Sequence, residues 1–486
     1  MTNTTTFPAP GPICSLDAVE IARKIRTREL SCRQVAEAFL DRIEAVNPAV
    51  NAIVSLRPRA EILAEADAAD RHLAAGGAAG PLFGLPMAVK DIAGTKGLRT
   101  TFGSRIFADF VPEEDDFFVA RMRAAGAIFI GKTNVPEFGF GSQTYNEVFG
   151  PTRNAFDQNL TSGGSSGGAA VATALHMVPL ADGSDMGGSL RNPAAWNNIY
   201  GFRPSQGLVP GGPGGELFIS QMGVEGPMAR NVADLALLLS VQAGYEPGAP
   251  LSLGGVDTDF TAQLSRPLER GRIAWLGDLG GHLAVEDGVL ALCETALADF
   301  EPIGLSVEAH VPDVDFERIW QAFITLRHAT SGCALKVHYD DPARRPLLKP
   351  EAVWEIEGAL DLKAPAIHAA SVVRSEWYKA VLRLFDHYDF VALPTAQVFP
   401  FSVDIHWPDE VGCRKMDSYH RWMEVTALAT MAGCPVMSLP AGFDGRGRPM
   451  GFQLIGPPRR DADVLRAAAA YEAATGRGGG IGRPAN

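Results

Sequence analysis

The stretch from Thr161 to Tyr200, TSGGSSGGAAVATALHMVPLADGSDMGGSLRNPAAWNNIY, constrains what this chain can fold into more than any other. It carries two serine-bearing glycine turns, Gly163-Gly164-Ser165-Ser166-Gly167-Gly168 and Gly187-Gly188-Ser189, joined by an alanine-rich apolar link. Glycine has no Cβ, so such turns let backbone N–H groups face inward and let a substrate or another segment approach closely. The link predicts a helix from Ser166 to His176, about 16 Å long, and a short strand from Met177 to Ala181 that returns roughly as far. A chain that goes out and back puts Ser189 near Ser165, where two hydroxyls can share a proton path. A flexible Gly/Ser linker is the competing reading, and the enclosed apolar helix argues against it.

The remaining sequence shows helices and strands in alternation. Ser15 to Thr27 has helical spacing, and Ser31 opens a second helix as a capping box with Gln34. That helix is expected to reach Ala45 and to end at Asn47-Pro48, before a strand from Asn51 to Leu56 and a third helix from Arg59 to Ala75. Leu82 to Val89 is an apolar run ending on Lys90-Asp91. Helix is predicted for Phe117 to Ala125, Val232 to Gly244, Val285 to Phe300 and Ala462 to Thr475. Strand is predicted for Ala127 to Gly131, Gly271 to Leu276, Leu305 to Ala309, Phe390 to Pro394 and Pro435 to Leu439. This order implies α/β layering. From Val314 to Ala380 the pattern is helical with scattered aromatics, Trp320, Phe323, Trp354 and Trp377, a candidate wall for a variable pocket or ordinary helix packing.

Two readings compete for Lys90. A lysine closing an apolar strand can lay its stem on the core and keep its ammonium in water. It can instead point into a dry pocket, where desolvation makes it a usable base. The second requires a fall of roughly three units from about 10.4.

Two motif matches mislead. Gly126 to Thr133 satisfies G-x-x-x-x-G-K-[ST], yet Ile128-Phe129-Ile130 is itself the predicted strand, where a phosphate cradle needs an open loop, so nucleotide binding through Lys132 is disfavoured. Gly163 to Gly167 fits G-x-S-x-G, yet the polar segment Asp157 to Thr161 is not the apolar strand a nucleophile elbow follows. Around the second turn, Asp185 and Arg191 have the spacing of a structural ion pair. Met186 to Ser189 offers successive backbone N–H groups, a setting for a developing oxyanion.

Charge and cysteine usage narrow the partners. With 43 Lys and Arg against 56 Asp and Glu, the net charge of −13 disfavours nucleic acid and anionic membrane surfaces. Six cysteines without C-x-x-C spacing suit reduced thiols in a cytoplasmic protein. Met1 to Pro12 is Thr/Pro-rich, without the apolar core of a signal peptide, and is expected to be disordered. No run of eighteen apolar residues occurs, so no membrane span is expected. Ten isolated histidines give no ligand pair on one element, and neither a metal nor another cofactor is expected.

The chain resembles the amidase signature family over nearly its whole length. The resemblance rests on Gly84-Leu-Pro-Met-Ala-Val-Lys90-Asp91, Gly131-Lys-Thr-Asn134, Gly163 to Gly168, and Gly183-Ser-Asp185-Met-Gly-Gly-Ser189-Leu-Arg191. It continues through Gly201-Phe-Arg-Pro204, Gly226-Pro-Met-Ala-Arg230, Cys434 to Phe443 and Gly451 to Pro457. It implies one large α/β domain over residues 13–480, with a mixed, mostly parallel central sheet covered by helices on both faces. Residues 60–240 would be its catalytic core and 314–380 a variable helical pocket region. It further implies a Ser-Ser-Lys triad of nucleophile Ser189, bridging Ser165 after a cis peptide, and base Lys90. The N–H groups of Met186, Gly187, Gly188 and Ser189 would form the oxyanion hole. Ser184 and Met186 stand where the family more often has other residues, a departure expected to alter side chains around the hole and not its donors.

The function expected is a cofactor-free serine hydrolase of small amides, extending to esters or carbamates, acting as a monomer or homo-oligomer. The alternative is the glutaminase subunit of a tRNA-dependent amidotransferase, which would need partner chains and a carboxylate-reading arginine.

Overall fold

In a computed structural model of the chain, residues 7–481 are described. The fold begins with helices α1 (Ala18–Arg26) and α2 (Cys32–Val50), then β1 (Ile53–Val54) and α3 (Arg59–Ala74). Apolar residues recur every three or four positions in α1, where Ala18, Ile21, Ala22 and Ile25 are buried. The capping box is present, with Ser31 Oγ accepting from Gln34 N and the Gln34 side chain accepting from Ser31 N. Next come β2 (Pro86–Lys90), α4 (Phe117–Ala124) and β3 (Ile128–Thr133). Strand β3 lies between β1, antiparallel to it, and β2, parallel to it, in a small sheet.

The large sheet starts after α5 (Gly167–Ala174), with β4 (Leu180–Asp185), α6 (Arg191–Trp196), β5 (Tyr200–Arg203), β6 (Val224–Ala229) and α7 (Val232–Gln242). It continues through α8 (Phe260–Gln263), β7 (Gly271–Trp275), α9 (Val289–Leu297) and β8 (Leu305–Ala309). Helices α10 (Phe316–Arg327), α11 (Cys333–Tyr339), α12 (Pro350–Leu360) and α13 (Ala364–Phe385) form a layer of their own before β9 (Phe390–Pro394). A two-residue hairpin, β10 (Glu410–Val411) and β11 (Arg414–Lys415), precedes α14 (Ala427–Ala432), β12 (Val436–Phe443), β13 (Pro449–Ile455) and α15 (Asp461–Thr475). The eight strands run in the order β4-β6-β5-β12-β13-β9-β7-β8. Every residue of β13 and the first six of β12 are buried, so the middle of the sheet is covered on both faces.

The chain is an α/β protein with one large mixed sheet, as expected. The balance of its ladders is not. From β4 across to β9 every junction is antiparallel, and only β9 with β7 and β7 with β8 are parallel. Parallel neighbours need a crossover, which α9 supplies between β7 and β8, whereas β12 and β13 are joined by a tight turn closed by Asp444 and Gly447.

Several element boundaries also differ, among them the start of α9 and the end of β12, and two have a plain physical reason. Helix α2 runs through Pro48 to Val50, because the proline sits in the last turn, where the helix forgoes only one N–H. Asn51, at φ 52°, then closes it, and Asn47 Oδ1 accepts from the N–H groups of Ala52 and Ile53. Strand β4 begins at Leu180, three residues beyond the expected start, after Pro179, which has no N–H to give to a ladder. The Trp196 to Tyr200 run packs in the core, with Trp196 stacked on Trp422 at 5.6 Å. Of the expected disordered start, Met1 to Thr6 lies outside the described residues. No helix among the described residues is long and apolar enough to cross a membrane.

Candidate active site

Lys90 ends β2 and is 1 % exposed. Its Nζ lies 2.9 Å from Ser165 Oγ, 2.8 Å from Ser166 Oγ, 2.8 Å from Ser184 Oγ and 3.3 Å from the Ser184 carbonyl oxygen. Burial pulls its proton affinity well below that of a free amine, against the opposing charges of Glu225, Asp182 and Asp185. A neutral amine has two donors and a lone pair, which match two acceptors and one hydroxyl proton. The surface-lysine reading of Lys90 is excluded by this burial.

Ser165 follows a cis Gly164–Ser165 peptide bond. Ser166 N donates to the Ser189 carbonyl oxygen at 3.3 Å, which ties the first glycine turn to the second. Gly188 stands at φ 101°, and a Cβ there would lie 2.8 Å from the Thr426 methyl, so the turn needs glycine. Thr426 Oγ1 in turn donates to the Gly187 carbonyl oxygen at 2.8 Å.

Beneath the turn, Asp185 and Arg191 form the expected ion pair, a two-bond contact of 2.9 and 2.7 Å, fully buried. Arg203 adds a second guanidinium at 3.4 Å. Burial raises the Asp185 pKa, but Arg191, Arg203 and the Gly188 N–H outweigh it and hold the carboxyl well below the usual range. This brace changes the expected oxyanion hole. Gly188 N donates to Asp185 Oδ1 at 2.9 Å, so that N–H is already committed. Among the described residues, the N–H groups of Met186, Gly187 and Ser189 donate to no protein acceptor off their own elements.

Both serines open on one cavity of about 160 Å³, the size of a small ligand. Its walls include Phe138, Phe140, Met186, Glu225, Arg327 and Tyr419. The sequence did not single out Ser166, Glu225, Arg327 or Tyr419, and it marked Ser184 only as a departure from the family. Ser166 and Ser184 lie inside the motifs, yet spacing alone does not say which hydroxyls meet the amine. The Ser184 departure reaches further than expected, since its hydroxyl touches Lys90. From the 314–380 region, Arg327 and Ser331 line the cavity, whereas Trp320, Phe323, Trp354 and Trp377 do not. Those four pack instead, as in the Trp320–Phe323 stack and the Trp377 Nε1 bond to the Leu428 carbonyl oxygen.

Lys132 is buried as well, but its Nζ donates to the Ala93 carbonyl oxygen at 2.6 Å and Thr95 Oγ1 at 2.9 Å, inside the protein and not in an open cradle. Elsewhere, His282, Glu317 and Glu424 converge to within 4.8 Å, a grouping hidden by their separation in the chain. Arg421 pairs with both carboxylates there and leaves the group an ion-pair network.

The family model described as Amidase matches residues 34–465. The chain is 34% identical over 462 residues to an acylamidase of Rhodococcus erythropolis, covering 94% of this chain and 95% of that protein. It is 37% identical over 487 residues to a glutamyl-tRNA(Gln) amidotransferase subunit of Thermus thermophilus, covering 95% and 97%. Among solved structures, that of a bacterial aryl acylamidase of the amidase signature enzymes has a TM-score of 0.89 at 30% identity, covering 96% of this chain and 97% of that one.

Proposed function

The chain belongs to the amidase family, and on that premise we propose that it is a hydrolase of small carboxylic amides that works through an acyl-enzyme on Ser189. Neutral Lys90 takes the proton of Ser165, which takes that of Ser189 as the Ser189 oxygen attacks the carbonyl. The oxyanion is received by the N–H groups of Met186, Gly187 and Ser189, while Gly188 and the Asp185–Arg191 pair hold the turn rigid. Reversal of the relay protonates the leaving amine, and water, activated by the same relay, releases the acid. Esters and carbamates pass through a similar oxyanion and fall within reach. A cytoplasmic location accords with this reading.

The observation that carries the reading is the 2.9 Å contact between Lys90 Nζ and Ser165 Oγ in the cavity that Ser189 shares. It is tested by labelling the purified chain with a fluorophosphonate and mapping the adduct. The adduct is expected on Ser189, with Ser189→Ala losing at least about a thousandfold in amide turnover. An adduct on Ser165 that survives in Ser189→Ala would overturn the assignment.

The relative from Thermus thermophilus supports a second reading, the glutaminase subunit of an amidotransferase. That role needs a cation free to hold a carboxylate. Arg327 reaches the cavity with Nε and Nη2 bonded to the buried Glu355 and to Tyr419, which leaves Nη1, against Met186 Sδ, for that role. Hydrolysis of anilides by the chain alone, without tRNA or ATP, is expected of the first reading. Turnover of glutamine only with partner chains is expected of the second.

A further inference from the structure

Glu225 is the one acidic side chain of this cavity that the proton relay and its brace leave unused. It sits on β6 directly opposite Ser184 of β4. It is partly exposed, and its opening is the cavity wall it shares with Ser165, Ser184 and Ser189. Among the described residues no donor is within hydrogen-bonding or ion-pairing distance of its carboxyl. The nearest cationic candidate, Lys90, spends its hydrogen bonds on three serines. Arg327, also in the cavity wall, gives Nε to Glu355, Nη2 to Tyr419 and Nη1 to Met186 Sδ, and Asp185 is held by Arg191 and Arg203. The cavity therefore carries one acid with no hydrogen-bond or ion-pair partner, opposed only at a distance by Lys90. Enclosing a carboxyl without a partner is costly, and a ligand that supplies the partner recovers that cost.

We infer that Glu225 is a specificity-determining residue that accepts a hydrogen bond from an amino group on the substrate, so that the preferred substrates are amides bearing a primary amine beside the scissile bond. This rests on the hydrolase reading given above. A second feature acts in the same direction, for the net charge of −13 draws cations toward the protein before they reach the cavity.

The protonation of Glu225 follows from its surroundings. Burial raises its pKa well above the carboxylate range, Lys90 on β2 opposes this, and Asp116 before α4 and Asp182 on β4 add to it. The other titratable groups at the cavity are His420, whose burial keeps it neutral, Tyr419, whose burial keeps its phenol protonated, and the engaged Asp185 and Arg327. Without a cation against its carboxyl, Glu225 thus holds its proton into the neutral range, and a bound ammonium favours the ionised form. Binding of a cationic amine should release a proton and tighten as pH rises through that range.

The test has two arms. In the first, nitroanilides with an aminoalkyl acyl group, and alkylamides with an aminoalkyl leaving group, are each compared with the methyl isostere. Wild type is expected to favour the amine in at least one of the two series by about 10- to 100-fold in kcat/KM, the worth of a hydrogen bond to a charged group. Glu225→Gln should bring the ratio to within about threefold, and Glu225→Asp should recover part of it. In the second arm, n-butylammonium and n-butanol are titrated calorimetrically into wild type and Glu225→Gln. The ammonium should bind at least about tenfold tighter to wild type only, with proton release in buffers of different ionisation enthalpy. Equal selectivity in wild type and Glu225→Gln, or no preference for the amine by either measure, overturns the inference. If no amide is turned over and no fluorophosphonate adduct forms, the hydrolase reading fails, while the calorimetric arm still decides the role of Glu225.

Discussion

Lys90 and Lys132 occupy neighbouring strands, and burial lowers the proton affinity of both, that of Lys132 to about 8. Lys90 stands opposite Thr133 and Lys132 opposite Val89, one position apart in a ladder, so they point to opposite faces. Only Lys90 meets serines. Because the base must be uncharged, kcat/KM is expected to rise with pH through the depressed pKa of Lys90 and level off above it. That limb should lie well below pH 10.5, the ordinary lysine value. Lys90→Ala should cost about 10³-fold or more in kcat. Lys132→Met should leave the limb in place while lowering stability, because it strips the Ala93 carbonyl and Thr95 hydroxyl of their donor. An acid limb that moves with Lys132 and not with Lys90 would reverse the assignment. At this scale the sequence named Lys90, Ser165 and Ser189 through their motifs, but it gave no sign of Glu225. A single glutamate in a strand looks like any solvent-facing residue until its register against Ser184 is known.

At the scale of elements, the site depends on how closely backbone approaches backbone. Gly168, in the first turn of α5, has its Cα against the end of β3, and an added Cβ would lie 2.3 Å from Asn134 N and 2.6 Å from the Ala52 carbonyl oxygen. Neither neighbour is a flexible side-chain end. Gly168→Ala should therefore shift α5, carry Ser165 away from Lys90, and lower both the thermal midpoint and kcat. The overpacking cost expected is about 1–3 kcal/mol. If the variant unfolds and reacts like wild type, the packing of α5 is not what positions Ser165. The out-and-back path of helix and strand was readable from composition, since alanine, valine and glycine mark a helix that must be buried on all sides. The start of β4 was misplaced because apolar residues alone did not register that Pro179 interrupts the ladder. The antiparallel pairings were invisible, because a buried strand reads as an apolar run whichever way its neighbour runs.

For the molecule as a whole, the sheet order interleaves the two ends of the chain. Strand β5, from the first half, pairs with β12 from the second, and β13 then leads to β9, β7 and β8. The brace under the nucleophile turn crosses the same divide, for Arg191 Nη1 donates to Gln453 Oε1 of β13 at 2.5 Å and to the Thr426 carbonyl oxygen at 2.9 Å. Gln453 Nε2 donates to the Pro394 and Val425 carbonyl oxygens, so one side chain joins the turn, β9 and the segment before α14. Neither half can complete the site alone. Unfolding is therefore expected as one transition, with equal calorimetric and van't Hoff enthalpies. Gln453→Leu, which is 262 positions from Arg191, should lower that single midpoint and lower kcat more than it raises KM. The reason is that it leaves a buried guanidinium N–H and two carbonyl groups short of partners at about 1–3 kcal/mol each. Two separate transitions, with only the later one sensitive to Gln453→Leu, would show that the halves fold independently and that the brace is not what holds the nucleophile turn.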